Sequence, residues 1–162
     1  MTIVKKTWPW ILVSMLVVAG DQLTKYAVVE HIGTQQVIKI FPFLNLILRF
    51  NTGAAFSFLG AQNGWQVYLL SGISIVASVV LFVWLCRLKN NDDLIALPIS
   101  LVLGGAVGNL VDRLHWGFVV DFVDFHIRQW HFATFNVADA AVSMGATWLV
   151  LRLVYESIIS KS

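Results

Sequence analysis

A set of ionisable side chains stands within or beside long apolar stretches of this chain: Asp21, Lys25, Asp112, Arg113, Asp121, Asp124 and Asp139. Such a group costs roughly 2.5–3.5 kcal/mol on membrane-insertion scales, so each is a functional candidate by default. Asp121 lies among valines and aromatics in Val119-Val-Asp-Phe-Val-Asp-Phe125, flanked by Val120 and Phe122. Asp139 closes Phe135-Asn-Val-Ala-Asp139, where Asn136 suits a helix cap and an acid in the first turn suits the helix dipole. If Asp121 and Asp139 meet in a low-dielectric site they cannot both ionise, and they share a proton. One then takes a proton from water while the other, protonated, polarises a carbonyl. That is aspartic-protease chemistry, and it needs no metal.

The remaining polar groups have plainer readings beside functional ones. Asp21 and Lys25 are one helical turn apart, which predicts a local ion pair that eases burial of a helix end. Asn109 lies one turn from Asp112 and Arg113, so the three can form a network or simply close a helix end. Gly104 and Gly108 form a GxxxG pattern, the signature of close helix packing. Asp124 reads as a solvated acid, and the 119–125 segment as a turn or interfacial loop. Other nucleophiles fit poorly. There is no GxSxG motif, and the sole cysteine, Cys86, sits in an apolar stretch as a small buried hydrophobe. His31, His115, His126 and His131 form no HExxH pattern and read as interfacial residues.

The elements that must position these groups follow from composition. Of 162 residues, 58% are hydrophobic and 12% charged, with a net charge of +2 and a mean hydropathy of +0.77. An ordinary soluble domain has roughly 45–50% apolar and about 25% charged residues. The balance excludes a soluble enzyme, a disordered chain and a nucleic-acid binder, and leaves an integral membrane protein. A spanning helix needs about 20 mostly apolar residues. Residues 65–86 and 94–111 carry no Asp, Glu, Lys or Arg, and a short polar loop joins them as a hairpin. The stretches 8–20 and 140–151 become long enough only by including ionisable residues.

The expected fold is therefore an all-α membrane protein, a single polytopic domain over 1–162. Its four spans lie near 8–28, 65–86, 94–113 and 137–158, and 29–64 and 114–136 form its extracytoplasmic segments. Within the first of these segments, residues 43–50 alternate partly, with Leu44, Leu46 and Leu48 on one side and Asn45 and Arg49 on the other. That period predicts a small β-rich cradle at the bilayer surface. Lys5, Lys6, Arg87, Lys89, Arg152 and Lys161 fall on one side of the membrane, and Lys25, Lys39, Arg49, Arg113 and Arg128 on the other. The first-helix lysines place both termini in the cytoplasm. Trp8, Trp10, Trp65, Trp84, Trp116 and Trp130 sit beside apolar runs, where interfacial anchors belong. A signal peptide at the start is the competing reading, but no small-x-small cleavage site is well placed. A proton-coupled transporter would put its acids near the midplane of inverted repeats. Here they gather toward one face, and no repeat is visible. A structural membrane protein would explain the glycines and tryptophans but leave the acids without purpose.

The motifs resemble those of the lipoprotein signal peptidase family, also called signal peptidase II. Asp21-Gln-Leu-Thr-Lys25, Asn51-Thr-Gly-Ala-Ala-Phe-Ser57, Gly104-Gly-Ala-Val-Gly-Asn-Leu-Val-Asp-Arg113, Val120-Asp-Phe122 and Phe135-Asn-Val-Ala-Asp139 follow the family's order over nearly the whole chain. The resemblance implies a bacterial inner-membrane aspartic endopeptidase. Its substrate would be a prolipoprotein carrying diacylglycerol on a cysteine, cleaved just before that cysteine. It further implies Asp121 and Asp139 as the catalytic pair. Asn51, Gly53, Asn109, Arg113 and Asn136 would support and bind around them, with Asp21 and Lys25 in structural or orienting roles. No cofactor or metal is expected; the partners would be substrate and membrane lipid, and the protein a monomer. The 37–58 segment would cradle the substrate backbone, and 115–135 would act as a lid.

Overall fold

The computed structural model describes residues 2–53, 64–88 and 92–159, and side chains from residue 7 onward. Four helices carry the chain: α1 (Thr2–His31), α2 (Trp65–Arg87), α3 (Asp93–Trp116) and α4 (Val137–Ile159). Each contains a stretch long and apolar enough to cross a membrane. Hydrocarbon offers no partner to a backbone N–H or C=O, so apolar runs of this length satisfy themselves as helices. The expected spans are all present, each helix running slightly beyond the bounds anticipated for it. Many large apolar side chains on their outer faces are exposed, among them Leu16, Val76, Val80, Leu151 and Leu153, as a lipid-facing surface requires.

Helix α3 is central and touches each of the other three. Its glycines explain how. A Cβ on Gly104 would lie 2.7 Å from the Val17 Cβ and 2.8 Å from the Ser14 carbonyl, both on α1. On Gly105 it would strike the Ala138 carbonyl of α4, and on Gly108 it would lie 2.8 Å from the Asp21 carboxylate. The GxxxG reading as close packing therefore holds. Lipid removes the hydrophobic drive between helices, so close backbone approach must supply the attraction.

At one end of the bundle lies an antiparallel sheet in the order β1 (Val37–Phe41), β2 (Leu44–Asn51), β3 (Val119–Ile127) and β4 (Trp130–His131). The strand expected over 43–50 is β2. Its Asn45 is buried, in register with Asp124 of β3, whose carboxylate accepts from the Asn45 amide. The expected cradle also covered 54–58, which lie outside the described residues. So do Lys89 and Lys161, and the side chains of Lys5 and Lys6.

One expectation is corrected. The 119–125 segment is not a turn or loop but most of strand β3, and Asp124 is buried at 4% exposure. Asp121 and Asp124 fall on opposite faces of this strand, which breaks any amphipathic alternation in the sequence. Tertiary structure covers both faces. Val120 and Phe122 pack with Val28, Ile32 and Leu48, while Asp121 turns to the other side. The 114–136 segment thus supplies half of the sheet.

Candidate active site

The site is built around the first turn of α4. Asn136 precedes the helix and caps it: the Asp139 amide donates to Asn136 Oδ1 at 2.8 Å. The Asn136 amide returns the bond to Asp139 Oδ2 at 3.3 Å. This reciprocal arrangement is a capping box with Asp at the third helical position. It fixes the Asp139 side chain against its own helix end, and Asn109 Nδ2 donates to the remaining oxygen, Oδ1, at 2.7 Å.

Asp121 arrives from β3. Its Oδ1 accepts from Asn136 Nδ2 at 2.7 Å and its Oδ2 from Asn51 Nδ2 at 3.0 Å. The wholly buried Asn136 therefore touches both acids, one through its cap and one through its amide nitrogen. That nitrogen also lies 3.2 Å from Asn109 Oδ1 and 3.2 Å from the Val120 carbonyl. Burial, and then the negative charge of Asp139, push the Asp121 carboxyl from 3.8 up to about 6. The hydrogen bonds from Asn51 and Asn136, and the Lys25 charge, pull the other way without cancelling the rise.

Both acids line a cavity of about 610 Å³. Asn51, Asn109 and Arg113 complete its polar side, and Phe132, Phe135, Val142 and Met144 belong to its apolar wall. Arg113 Nη2 donates to the Gly53 carbonyl at 3.3 Å, and the Gly53 amide donates to Asn51 Oδ1 at 2.9 Å. Gly53 thus joins two cavity residues. A wider apolar groove of about 850 Å³, against Leu94, Thr147, Trp148 and Arg152, shares Ser143 and Met144 with the cavity. It contains no carboxylate.

Beneath the cavity lies a second charged layer. Lys25 Nζ is 2.8 Å from Asp21 Oδ2, 2.8 Å from Asp112 Oδ2 and 3.1 Å from Asn109 Oδ1. The expected Asp21–Lys25 pair is present, but Asp112 shares the same ammonium. Each acid also takes a backbone amide. Asp21 Oδ1 accepts from Ala138 N at 2.9 Å, and Asp112 Oδ2 from Val120 N at 3.0 Å. Those amides belong to the residues immediately before Asp139 and Asp121. One buried cation therefore clamps the backbone leading into both cavity acids.

Asp21, Lys25, Asn51, Gly53, Asn109, Arg113, Asp121, Asn136 and Asp139 are thus joined in one network of hydrogen bonds and ion pairs, whereas Asp124 bonds apart from it with Asn45 and His131. Sequence reasoning placed Asp112 among the costly ionisable groups and in a network with Asn109 and Arg113, but not as the second acid on Lys25. It missed Gln22, whose Nε2 donates to Asp112 Oδ1 at 2.8 Å and to the Gly108 carbonyl at 3.2 Å. The available signal was Gln22's place between Asp21 and Lys25. Among the described residues, no three His, Cys, Asp or Glu side chains cluster as metal ligands.

A family model described as Signal peptidase (SPase) II matches residues 13–155. The lipoprotein signal peptidase of Coxiella burnetii (strain Dugway 5J108-111) is 50% identical over 149 residues, covering 92% of this chain and 91% of that one. The lipoprotein signal peptidase of Shigella boydii serotype 4 (strain Sb227) is 45% identical over 145 residues, covering 90% and 87%. A solved bacterial membrane enzyme, determined by the in meso method, superposes with a TM-score of 0.83 at 30% identity, covering 92% of this chain and 89% of that one.

Proposed function

The chain belongs to the signal peptidase II family of bacterial multi-pass membrane peptidases, and on that premise we propose that Asp121 and Asp139 are the catalytic pair that cleaves a diacylglyceryl-modified prolipoprotein before its lipidated cysteine. The observation that carries this reading is Asn136, which binds both acids at once beside the cavity they line.

The pair holds one proton between two carboxyls. The ionised member takes a proton from water as the water oxygen attacks the scissile carbonyl carbon. The protonated member donates to the carbonyl oxygen, giving a neutral tetrahedral diol. Collapse of the diol breaks the C–N bond as the proton first taken from water passes to the leaving amine and the carboxylate that gave up its proton takes one back from a diol hydroxyl, which restores the pair. The raised Asp121 carboxyl suits the acid half of this exchange. The amides of Asn51 and Asn109 hold the acids in register, and Arg113 stands beside them for the substrate backbone.

A diacyl substrate enters from lipid, and the apolar groove that shares Ser143 and Met144 with the cavity gives it an approach along α4. In the orientation we propose, both termini are cytoplasmic and the sheet lies on the outer face, with β1 and β2 cradling the substrate and 115–135 covering it. The protein acts as a monomer.

The test uses purified protein in detergent with a lipidated prolipoprotein. Asp121→Asn and Asp139→Asn should each abolish cleavage while the fold is retained, and EDTA should leave wild-type cleavage unchanged. Normal cleavage by either variant overturns the assignment, and a strong EDTA effect would replace it with metal chemistry.

A further inference from the structure

One buried acid has no part in the chemistry above. Asp124 Oδ2 accepts from Asn45 Nδ2 at 2.9 Å, and Oδ1 lies 2.8 Å from His131 Nδ1. An ionised carboxylate only accepts, so His131 carries its proton on Nδ1. Asn45, Asp124 and His131 come from β2, β3 and β4, so the three side chains cross the sheet where the ladder is weakest. β4 is two residues long, paired only as His126↔His131 and Ile127↔Trp130. The His126 ring stacks on His131 with centroids 5.0 Å apart.

The three residues after β4 give the cluster its significance. Phe132, Ala133 and Thr134 line the cavity that contains Asp121 and Asp139. The far end of this wall is tied where Phe135 pairs with Val123, the Phe135 carbonyl accepting from Val123 N at 2.8 Å. The near end depends on the Phe132 amide, which donates to the Phe125 carbonyl at 2.8 Å, and on His131. The acids themselves are held elsewhere, by Asn109, Asn51 and the α4 cap.

We infer that Asn45, Asp124 and His131 form a positioning cluster that holds the cavity wall 132–134 and thereby governs how tightly substrate binds, without touching the reacting atoms. The carboxylate is buried while the His131 ring is half-exposed, so the pair adds little stability by charge alone. Its directional bonds instead set the register of a very short strand. The inference rests on the assignment of the cavity as the substrate site.

Steady-state kinetics on a lipidated prolipoprotein test it. His131→Leu should raise KM about tenfold and leave kcat within about twofold, as expected when binding common to ground and transition states is lost. His131→Gln keeps an N–H donor and should recover most of the wild-type KM. Asn45→Ala, read by the same criterion, serves if His131→Leu does not accumulate. An unchanged KM, a fall in kcat alone, or equal loss in His131→Leu and His131→Gln would overturn the inference. The two readings fail separately. Inactive Asp121→Asn and Asp139→Asn with a wild-type KM in His131→Leu removes only the positioning cluster, whereas active dyad variants remove the catalytic assignment itself.

Discussion

Asn136 and Asp139 cap one another, each backbone amide donating to the other's side chain, at 3.3 and 2.8 Å. The plain reading of Asp139 as a first-turn acid therefore holds, and the proposed catalytic role makes use of the same geometry. The capping box holds the carboxyl against its helix end, beside the cavity that Asp121 also lines.

Asn136→Ala should damage both roles. It removes a cap worth about 1 kcal/mol. It also removes the 2.7 Å bond to Asp121, a bond to a charged group being worth roughly 1.5–3 kcal/mol. The expected result is a melting temperature lower by several degrees and cleavage reduced about ten- to a hundredfold, each 1.36 kcal/mol of barrier being tenfold in rate. Melting and initial-rate measurements in one detergent check both.

If Asp121 is catalytic as proposed, it should set the pH dependence of cleavage. Its carboxyl titrates near 6 in the fold against 3.8 ordinarily, so the folded chain holds this proton more tightly than the unfolded one. A pair that needs one shared proton loses it as pH rises, and kcat/KM should fall on an alkaline limb that begins near pH 6. The tighter hold on the proton also costs stability once the group ionises. The cost is absent below 3.8, grows between 3.8 and 6, and is fully present above 6. At pH 7.5, Asp121→Asn should therefore melt no lower than wild type. The gain should reach at most about 3 kcal/mol, each tenfold change in proton affinity being worth about 1.36 kcal/mol. Near pH 4 that advantage should vanish.

The Lys25 clamp should be unforgiving. Lys25→Met leaves Asp21 and Asp112 buried without their cation, and breaking a buried pair costs about 3–5 kcal/mol. Adding Asp112→Asn removes one of the stranded charges, so the double variant should be more stable than Lys25→Met alone. Thermal half-life in detergent decides the order; a less stable double variant would mean that Asp112 does not share the ammonium.

Close approach along α3 is tested by adding single methyl groups. Gly108→Ala places a Cβ 2.8 Å from Asp21 Oδ2 and 3.3 Å from the Ala138 Cβ, in a clamp with no slack. The expected loss is about 1–3 kcal/mol. Gly72→Ala on α2 meets nothing within 4 Å and should instead gain roughly 0.5–1 kcal/mol from reduced chain entropy. Opposite shifts in melting temperature confirm the contrast.

Much of this protein was legible before its fold was seen. The four spans depend on run length and charge, which are local properties set against a fixed bilayer thickness. The acids stood out because ionisable groups are rare and costly at such positions. The glycine pattern of α3 and the Asp21–Lys25 pair were readable because helical periodicity places their members on one face.

Pairings across the chain were not readable. No spacing rule joins Lys25 to Asp112 or Asn45 to Asp124; those contacts exist because α3 packs on α1 and β2 pairs with β3. Strand β3 was misjudged for the same reason. Its two acids on opposite faces resemble a solvated turn until a cavity with a second carboxyl covers one face and Asn45 with His131 satisfies the acid on the other. Whether a buried charge is tolerated depends on what surrounds it in three dimensions, and that environment is assembled from residues far apart in the chain.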